Sequence, residues 1–160
     1  MAVNADGEVV YTIPLKELYS AFDVASLDDL TIAVSTGYSA IENKPGVNYS
    51  ITTIPNTGSP LYLCVSTHAD KIFFTNPDKH TVSCCLYSGK LVWEFKDKSV
   101  LKNPRGITID NKGNVFVVGK DSCNVVVISP DGNQCIQILY KEDGIDGLTA
   151  IAIGKGGISY

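Results

Sequence analysis

An internal repeat of about 43 residues limits the folds open to this sequence more than any other feature. The stretches 70–95 and 113–138 align at a constant offset of 43 positions, which pairs Phe73 with Phe116. A repeat of this length means that one supersecondary unit is copied along the chain and buries its apolar face against its neighbours. Turn glycines recur in the same phase, at Gly7, Gly46, Gly89 and Gly132.

Each copy holds four short runs rich in valine, isoleucine, phenylalanine and threonine, which favour β-strands. Hairpin signals fall at 110–113 and 129–132, where a glycine accepts the positive φ that such turns need. Four antiparallel strands in each 40-odd residues are typical of a β-propeller blade. The sequence therefore predicts an all-β fold, a partial, open β-propeller of four-stranded antiparallel blades. In the clearest copy the runs are 106–110, 114–118, 124–129 and 134–140.

The repeat also predicts where the blades begin and end. Complete propellers have typically about four to eight blades, so the segments predict an open arc whose two ends are not hydrogen-bonded to each other. Its exposed faces and strand edges favour self-association. The segments are the end of a blade at 1–13, a degenerate blade at 15–55, blades at 60–95 and 104–140, and a truncated blade at 148–160.

Side chains that recur at one phase of the repeat are expected to pack between blades. Trp93 stands at the position of Ile136 and is expected to pack there too. The side chains expected to be buried are Phe73, Val82, Phe116, Val125 and Val127.

Composition and charge argue against an overall basic surface and against a membrane partner, although a local basic surface stays open. The formal charge of −4 provides no overall basic field for nucleic acid or anionic lipid. No stretch approaches the roughly 18 consecutive apolar residues of a membrane helix, and the first residues do not resemble a secretory signal. The five cysteines lack Cys-x-x-Cys spacing, and most lie in apolar runs. We expect free thiols and a cytoplasmic protein without membrane partners.

Catalytic and metal-binding patterns are absent from the sequence. His68 and His80 are the only histidines, and no third ligand stands at a metal-binding spacing. The sequence contains no Gly-x-Ser-x-Gly element and no phosphate-cradling glycine-rich loop. We therefore expect no catalytic residue, no cofactor and no metal. His80 is interpreted as a surface-loop residue.

The copy at 104–132 resembles the NHL repeat. It reads Pro-Arg-Gly-Ile-Thr-Ile-Asp over 104–110, Gly-Asn-Val-Phe-Val-Val over 113–118, and Asn-Val-Val-Val-Ile-Ser-Pro-Asp-Gly over 124–132. Gly-Lys-Asp at 119–121 departs from the usual Ala-Asp of that repeat. The chain as a whole resembles the C-terminal region of tripartite-motif (TRIM) ubiquitin ligases. That resemblance implies a module that selects a target, while RING and B-box zinc domains elsewhere in the parent protein carry the ligase chemistry.

In a propeller, the loops after the second and fourth strands of each blade share one face. Here these loops carry charges of both signs, although the loop 96–105 has four basic residues and one acidic residue. The candidate partner-binding residues in them are Lys79, His80, Lys96, Lys98, Lys102, Arg105 and Lys120.

Three functional classes stay open for this face and for the inner strands. A mixed polar rim favours recognition of a protein partner. RNA recognition is the alternative, as in some NHL propellers, and it requires converging cations and stacking aromatics. A propeller enzyme of the lyase or lactonase type is the weaker alternative. The inner strands offer Asp23, Thr108 and Asp110 without a repeated inward carboxylate, and Asp110 is interpreted as opening its hairpin.

Overall fold

The computed structural model describes residues 2–3, 9–11, 21–26, 32–36, 64–154 and 157–159. Over these ranges the chain forms short β-strands and a single turn of 3-10 helix at Lys141–Asp143. No helix within them is long and apolar enough to cross a membrane. The strands are β1 (Ala2–Val3), β2 (Val9–Tyr11), β3 (Ala21–Ser26), β4 (Ile32–Thr36), β5 (Val65–His68), β6 (Lys71–Asn76), β7 (Thr81–Leu86), β8 (Leu91–Phe95), β9 (Pro104–Ile109), β10 (Val115–Gly119), β11 (Asn124–Ile128), β12 (Cys135–Leu139), β13 (Ala152–Gly154) and β14 (Gly157–Ser159).

Two complete blades lie at the centre of the described chain. Each is a four-stranded antiparallel sheet in sequence order, β5-β6-β7-β8 and β9-β10-β11-β12. The repeat is visible in their registers, since Phe73 faces Cys84 in the first blade and Phe116 faces Val127 in the second. The prediction of a partial β-propeller with four-stranded antiparallel blades is confirmed.

Successive sheets meet through their first strands. β5 contacts both β3 and β9, and β9 contacts β13. The Val65 N–H donates to Asp23 Oδ2 at 2.8 Å, and the Gly106 N–H donates to the Thr149 carbonyl oxygen at 3.0 Å. A Cβ on Gly106 would lie 2.7 Å from the Ala150 Cα, so only glycine permits this approach. The first strands are therefore the innermost strands of neighbouring blades.

The main core lies between the two complete blades. The first blade contributes Phe73, Val82 and Cys84, and the second contributes Val117 and Ile128 from its facing side. Phe73 is only 2% exposed, because the neighbouring sheet covers it. Burial of this kind contributes roughly 25 cal/mol for each Å² of apolar surface removed from water.

Trp93 joins this core from the outer strand β8. Its ring centroid lies 5.9 Å from that of Phe73 at an interplanar angle of 60°. Its Nε1–H donates to the Pro130 carbonyl oxygen of the next blade at 3.0 Å. The prediction that Trp93 packs between blades is confirmed.

The burial predicted for the repeated side chains holds for one blade and fails in part for the next. Phe73, Val82 and Val125 are buried, whereas Phe116 and Val127 are only half-buried. The two blades differ in how much of a neighbouring sheet packs over these side chains. The equivalent side chains Phe73 and Cys84 face a complete four-stranded blade. Beyond β12 the described chain supplies only the two-stranded sheet β13–β14.

The described chain begins and ends in two-stranded sheets. β1 pairs with β2 and β13 pairs with β14, and these sheets are separate from each other, in agreement with the predicted open arc. Gly154 pairs with Gly157 in the antiparallel sheet β13–β14. Of the degenerate blade predicted at 15–55, the structure describes β3 and β4, which pair with each other. The rest of that segment lies outside the described residues.

Candidate binding face

Four loops form one polar surface, called the loop face below. It consists of residues 76–80 after β6, 96–103 after β8, 119–123 after β10 and 141–147 after β12. The first three loops meet at Asn103. Its N–H donates to His80 Nδ1 at 2.9 Å, its Nδ2 donates to Asp121 Oδ1 at 2.9 Å, and its carbonyl oxygen accepts from the Lys120 N–H at 3.2 Å. The predicted grouping of these loops is therefore present in the described chain.

A second set of hydrogen bonds runs from Lys102 through Ser122 to the buried Asn124. Ser122 Oγ accepts from the Lys102 N–H at 3.0 Å and donates to Asn124 Oδ1 at 2.7 Å. Asn124 Nδ2 in turn donates to the Val100 carbonyl oxygen at 2.7 Å, and Asn124 is 2% exposed. Because the oxygen and the nitrogen of this buried amide both have hydrogen-bond partners, Asn124 holds the loop 96–103 against the start of β11.

The loop 96–103 is an ordered turn with an apolar anchor. The Asp97 carboxylate accepts from the Ser99 N–H at 2.9 Å and from the Ser99 hydroxyl at 2.6 Å. These hydrogen bonds, that of the Ser99 hydroxyl above all, lower the pKa of Asp97. The Leu101 side chain is fully buried in the core between the blades. Leu101 therefore anchors the loop to the core. The side chains of Lys96, Lys98 and Lys102 are exposed.

The fourth loop is joined to the third through Cys123. The Cys123 thiol lies 3.4 Å from Asp146 Oδ1 and 3.6 Å from the Lys120 carbonyl oxygen. Cys123 has a φ of 49°, His80 a φ of 56° and Asn103 a φ of 51°. Three non-glycine residues in the left-handed region on one face show that hydrogen bonding holds these loops in tight turns.

The predicted partner-binding residues fall into three groups. Lys79, Lys96, Lys98 and Lys102 are exposed, and Lys120 is half-buried. His80 is half-buried and uses Nδ1 to accept a backbone hydrogen bond, so it is more than the surface-loop residue predicted.

Arg105 differs most from its predicted placement. It belongs to β9 rather than to the preceding loop, and it is 9% exposed. Strand β9 begins at Pro104, one residue earlier than the loop was expected to end. The exposed cations of the loop 96–103 are therefore three lysines.

Residues that organise the loop face were missed by sequence reasoning. Asn103, Ser122 and Asn124 make its central hydrogen bonds, yet only charged side chains were singled out as candidates. One signal was present in the sequence. Asparagine tolerates the left-handed conformation, and serine and asparagine side chains commonly bond nearby backbone groups.

The inner strands hold a second group of polar side chains. Burial raises the pKa of Cys64 to about 11, and the charge of Asp23 adds to this rise while Arg105 opposes it. A thiol that stays protonated at neutral pH is a poor nucleophile. Asp23 itself accepts the cross-blade hydrogen bond from Val65. These contacts fit a structural role at the junction of β3, β5 and β9.

Asp110 has the hairpin role that the sequence predicted. Its carboxylate accepts from the Lys112 N–H at 2.9 Å, the Asn114 N–H at 2.8 Å and Asn114 Nδ2 at 2.8 Å. Partial burial acts to raise the pKa of Asp110, but the hydrogen bonds from Asn114 and Lys112 outweigh it and lower the pKa. Within the ranges that the structure describes, no three histidine, cysteine, aspartate or glutamate side chains are grouped as a metal site would need.

The cysteines are unpaired thiols in this structure, as predicted. Burial raises the pKa of Cys84 to about 11 and also raises the pKa of Cys85 and Cys135. These cysteines pack in or near the sheets in the way that small apolar side chains do.

Comparison with known proteins supports the propeller fold. Residues 97–120 match the model of a family described as a beta-propeller repeat. This segment runs from the loop 96–103 through β9 and β10. A comparison of the sequence with curated proteins gives no significant match.

Two solved structures resemble the chain in fold. One is virginiamycin B lyase from Staphylococcus aureus, with a TM-score of 0.66 and 15% sequence identity over 86% of this chain. The other is a protein of unknown function from Bacteroides caccae, with a TM-score of 0.61 and 18% identity over 97% of this chain. The chain spans 46% of the first and 57% of the second. The chain is therefore a β-propeller arc with about half the length of these two structures.

Proposed function

We propose that this chain is a non-catalytic binding module that recognises a protein partner through the loop face. The supporting observation is the hydrogen-bonded network centred on Asn103, which joins three loops before any partner arrives. A surface that is ordered in advance loses less conformational entropy on binding. It also presents both signs of charge, with Lys98 and Lys102 beside Asp97 and Asp121, as suits a polar protein interface.

The proposal extends to the cellular context. The NHL-like sequence at 104–132 favours a cytoplasmic TRIM-type ubiquitin ligase as the parent protein, with this chain selecting the target. The coding sequence around the region for this chain tests this part separately. A RING and B-box on the same polypeptide would support it, and a parent without them would overturn it while leaving protein binding intact.

A charge-reversal experiment tests the binding face. The variant Lys98→Glu/Lys102→Glu changes two exposed lysines of the loop face, and the matched control Lys90→Glu/Lys112→Glu changes two exposed lysines in turns at the other end of the strands. Proteins captured from cytoplasm by the wild-type chain are quantified against both variants. We expect a defined partner whose capture falls at least tenfold with the first variant and stays unchanged with the control. Equal capture by all three chains would overturn the assignment of the face.

RNA recognition is the second candidate, because three exposed lysines lie in the loop 96–103. Binding of single-stranded RNA is measured by fluorescence anisotropy over a range of salt concentrations. If RNA is the partner, each lost phosphate contact lowers the slope of log affinity against log salt by roughly one unit in the loop-face variant. RNA binding with that dependence would replace the protein proposal. Absence of RNA binding at low salt would remove the RNA alternative.

A propeller enzyme of the lyase type is the weaker candidate. The likeness to virginiamycin B lyase, at 15% identity, supports the shared fold and carries no residue of a reaction. Stoichiometric calcium, magnesium or zinc in purified chain, measured by elemental analysis, would favour an enzyme over a binding module.

A further inference from the structure

We propose that the loop face binds an acidic peptide segment of its protein partner, at a site formed by the loop 96–103 and His80. The proposal rests on the proposed function and adds the chemistry of the partner. Three observations support it: an excess of exposed lysines in one loop, the engagement of the neighbouring carboxylates within the face, and the position of the proton on the His80 ring.

Positive charge is concentrated in one loop of the face. The loop 96–103 carries three exposed lysines and one aspartate, whereas the loops 76–80 and 119–123 each carry one lysine and one aspartate. The loop 141–147 has the opposite excess, with three acidic residues and one lysine. Because salt screens exposed charges beyond about 10 Å, a bound ligand responds mainly to the loop that it contacts. An acidic segment is therefore attracted to the loop 96–103 and repelled by the loop 141–147.

The acidic side chains near these lysines are bonded within the face. Asp97 Oδ1 accepts from both the N–H and the hydroxyl of Ser99. Asp121 Oδ1 accepts from Asn103 Nδ2 at 2.9 Å. The lysines of the loop 96–103, by contrast, form no ion pair with any residue in the described part of the chain. The two aspartates therefore help to hold the loops in shape, while the ammonium groups are available to the carboxylates of a ligand.

The hydrogen bond at His80 determines which ring nitrogen carries the proton. Nδ1 accepts the Asn103 N–H at 2.9 Å, so the neutral ring carries its proton on Nε2. Among the residues that the structure describes, none accepts a hydrogen bond from this Nε2–H, which is open to solvent. A fixed N–H next to the loop 96–103 is a directed donor for a carboxylate, whereas a lysine ammonium attracts it with little directional preference.

The same loops favour a peptide over RNA as the ligand. Single-stranded RNA is commonly held by aromatic side chains on which its bases stack. The loops 76–80, 96–103 and 119–123 contain no phenylalanine, tyrosine or tryptophan. A long phosphate backbone that crossed the face would also meet the acidic loop 141–147, whereas a short acidic segment ends before it. The site therefore suits a short run of carboxylates.

Binding of a fluorescein-labelled octaglutamate peptide to the full chain, measured by fluorescence anisotropy, tests the site. Lys98→Glu is compared with Lys141→Glu, which makes the same charge change at an exposed lysine of the same face. We expect Lys98→Glu to weaken binding roughly fivefold or more and Lys141→Glu to change it little, because exposed charges act locally. Absence of peptide binding by the wild-type chain at low salt, or equal losses in the two variants, would overturn the proposal.

His80→Asn separates a direct contact from an effect on loop order. An asparagine oxygen can replace Nδ1 as the acceptor of the Asn103 N–H, and asparagine tolerates the left-handed backbone at this position, where φ is 56°. The variant lacks the Nε2–H donor. We expect binding of octaglutamate to weaken about threefold or more while amide exchange over 100–103 stays unchanged. Unchanged affinity, or a loss that accompanies faster exchange, would overturn the contact assigned to His80.

Competition experiments distinguish an acidic partner from other forms of recognition. A protein captured through Lys98 and Lys102 that octaglutamate fails to displace would overturn the acidic-segment proposal and leave protein recognition by the face intact. Peptide binding together with capture that is insensitive to Lys98→Glu/Lys102→Glu would instead overturn protein recognition through this face. Single-stranded RNA that binds more tightly than octaglutamate and displaces it would assign the site to RNA and overturn the proposal.

Discussion

Gly132 illustrates how a turn residue of the repeat also serves packing between blades. Its φ is 77°, and a Cβ there would lie 2.6 to 3.0 Å from three atoms of the Trp93 ring. Gly144 has a similar φ of 83° but would place a Cβ in open space. The two glycines share one backbone requirement and differ in what surrounds them.

We predict that Gly132→Ala is clearly more destabilising than Gly144→Ala. Gly144→Ala should cost about 1 kcal/mol, because alanine disfavours the left-handed backbone. Gly132→Ala should cost about 2 kcal/mol more, because the indole ring must move within a packed core. Urea unfolding followed by far-ultraviolet circular dichroism, which does not depend on Trp93, measures every variant. Adding Trp93→Leu to Gly132→Ala should recover part of the loss, whereas equal costs for the two single variants would contradict the packing described.

Asp131 supplies a pH dependence at the same turn. The Ser129 hydroxyl, followed by the Asn133 backbone and side chain, lowers the pKa of Asp131 to about 2 from 3.8. A carboxylate with a depressed folded-state pKa stabilises the fold above the unfolded pKa and loses this effect as pH falls through the folded pKa. Asp131→Asn should therefore flatten the loss of stability between about pH 4 and pH 2. Urea midpoints at several pH values measure the slope, and an unchanged slope would contradict this role.

The role of a residue was predictable where the neighbouring sequence determines it. It was not predictable where packing against the next blade determines it. The turn function of Asp110 follows from the four residues after it. The partial burial of Phe116 does not, because its repeat phase is that of buried Phe73, and the two differ only in how much of the next sheet the described chain places over them. Arg105 was taken for a loop cation because the start of a strand depends on pairing with β10, which the local sequence leaves open by a residue or two.

At the scale of elements, the loops after β6 and β8 are joined by one histidine. His80 Nδ1 accepts the Asn103 N–H, and Asn103 then holds the loop after β10. Removing the acceptor leaves a partly buried donor without its partner. Such a loss costs roughly 1–3 kcal/mol.

We predict that His80→Ala loosens two loops at once. Amide hydrogen exchange should become at least several-fold faster over 100–103 and 120–121, because both segments depend on Asn103. His68→Ala is the control, since His68 ends β5 at the opposite end of the blade beside Gly113. Exchange that changes only at residue 80, or equally in both variants, would show that the loops are held by other contacts.

Strand positions were largely predictable because hydrophobic runs and turn glycines share one period. The four strands expected from 106 to 140 were found with every boundary within two residues of its expected position, at Pro104–Ile109, Val115–Gly119, Asn124–Ile128 and Cys135–Leu139. The loop face was predictable in outline from the same topology. Its network was not, because the hydrogen bonds of Asn103 and Ser122 join loops about 20 residues apart.

At the scale of the whole molecule, successive blades stack face to face at one repeat spacing. The contact between Trp93 and Gly132 reports this directly, since the residues belong to different blades and their ring and Cα lie close together. Trp93 is the only tryptophan, so its indole signals are assigned without ambiguity.

The decisive measurement is a nuclear Overhauser spectrum of isotope-labelled chain, read at the Trp93 indole protons. We predict strong cross-peaks to the Gly132 α-protons and to Pro130, with one Gly132 α-proton shifted upfield by the ring. Indole cross-peaks confined to residues 64–95, with Gly132 at ordinary shifts, would mean that the two sheets do not stack and that the chain is not a propeller arc.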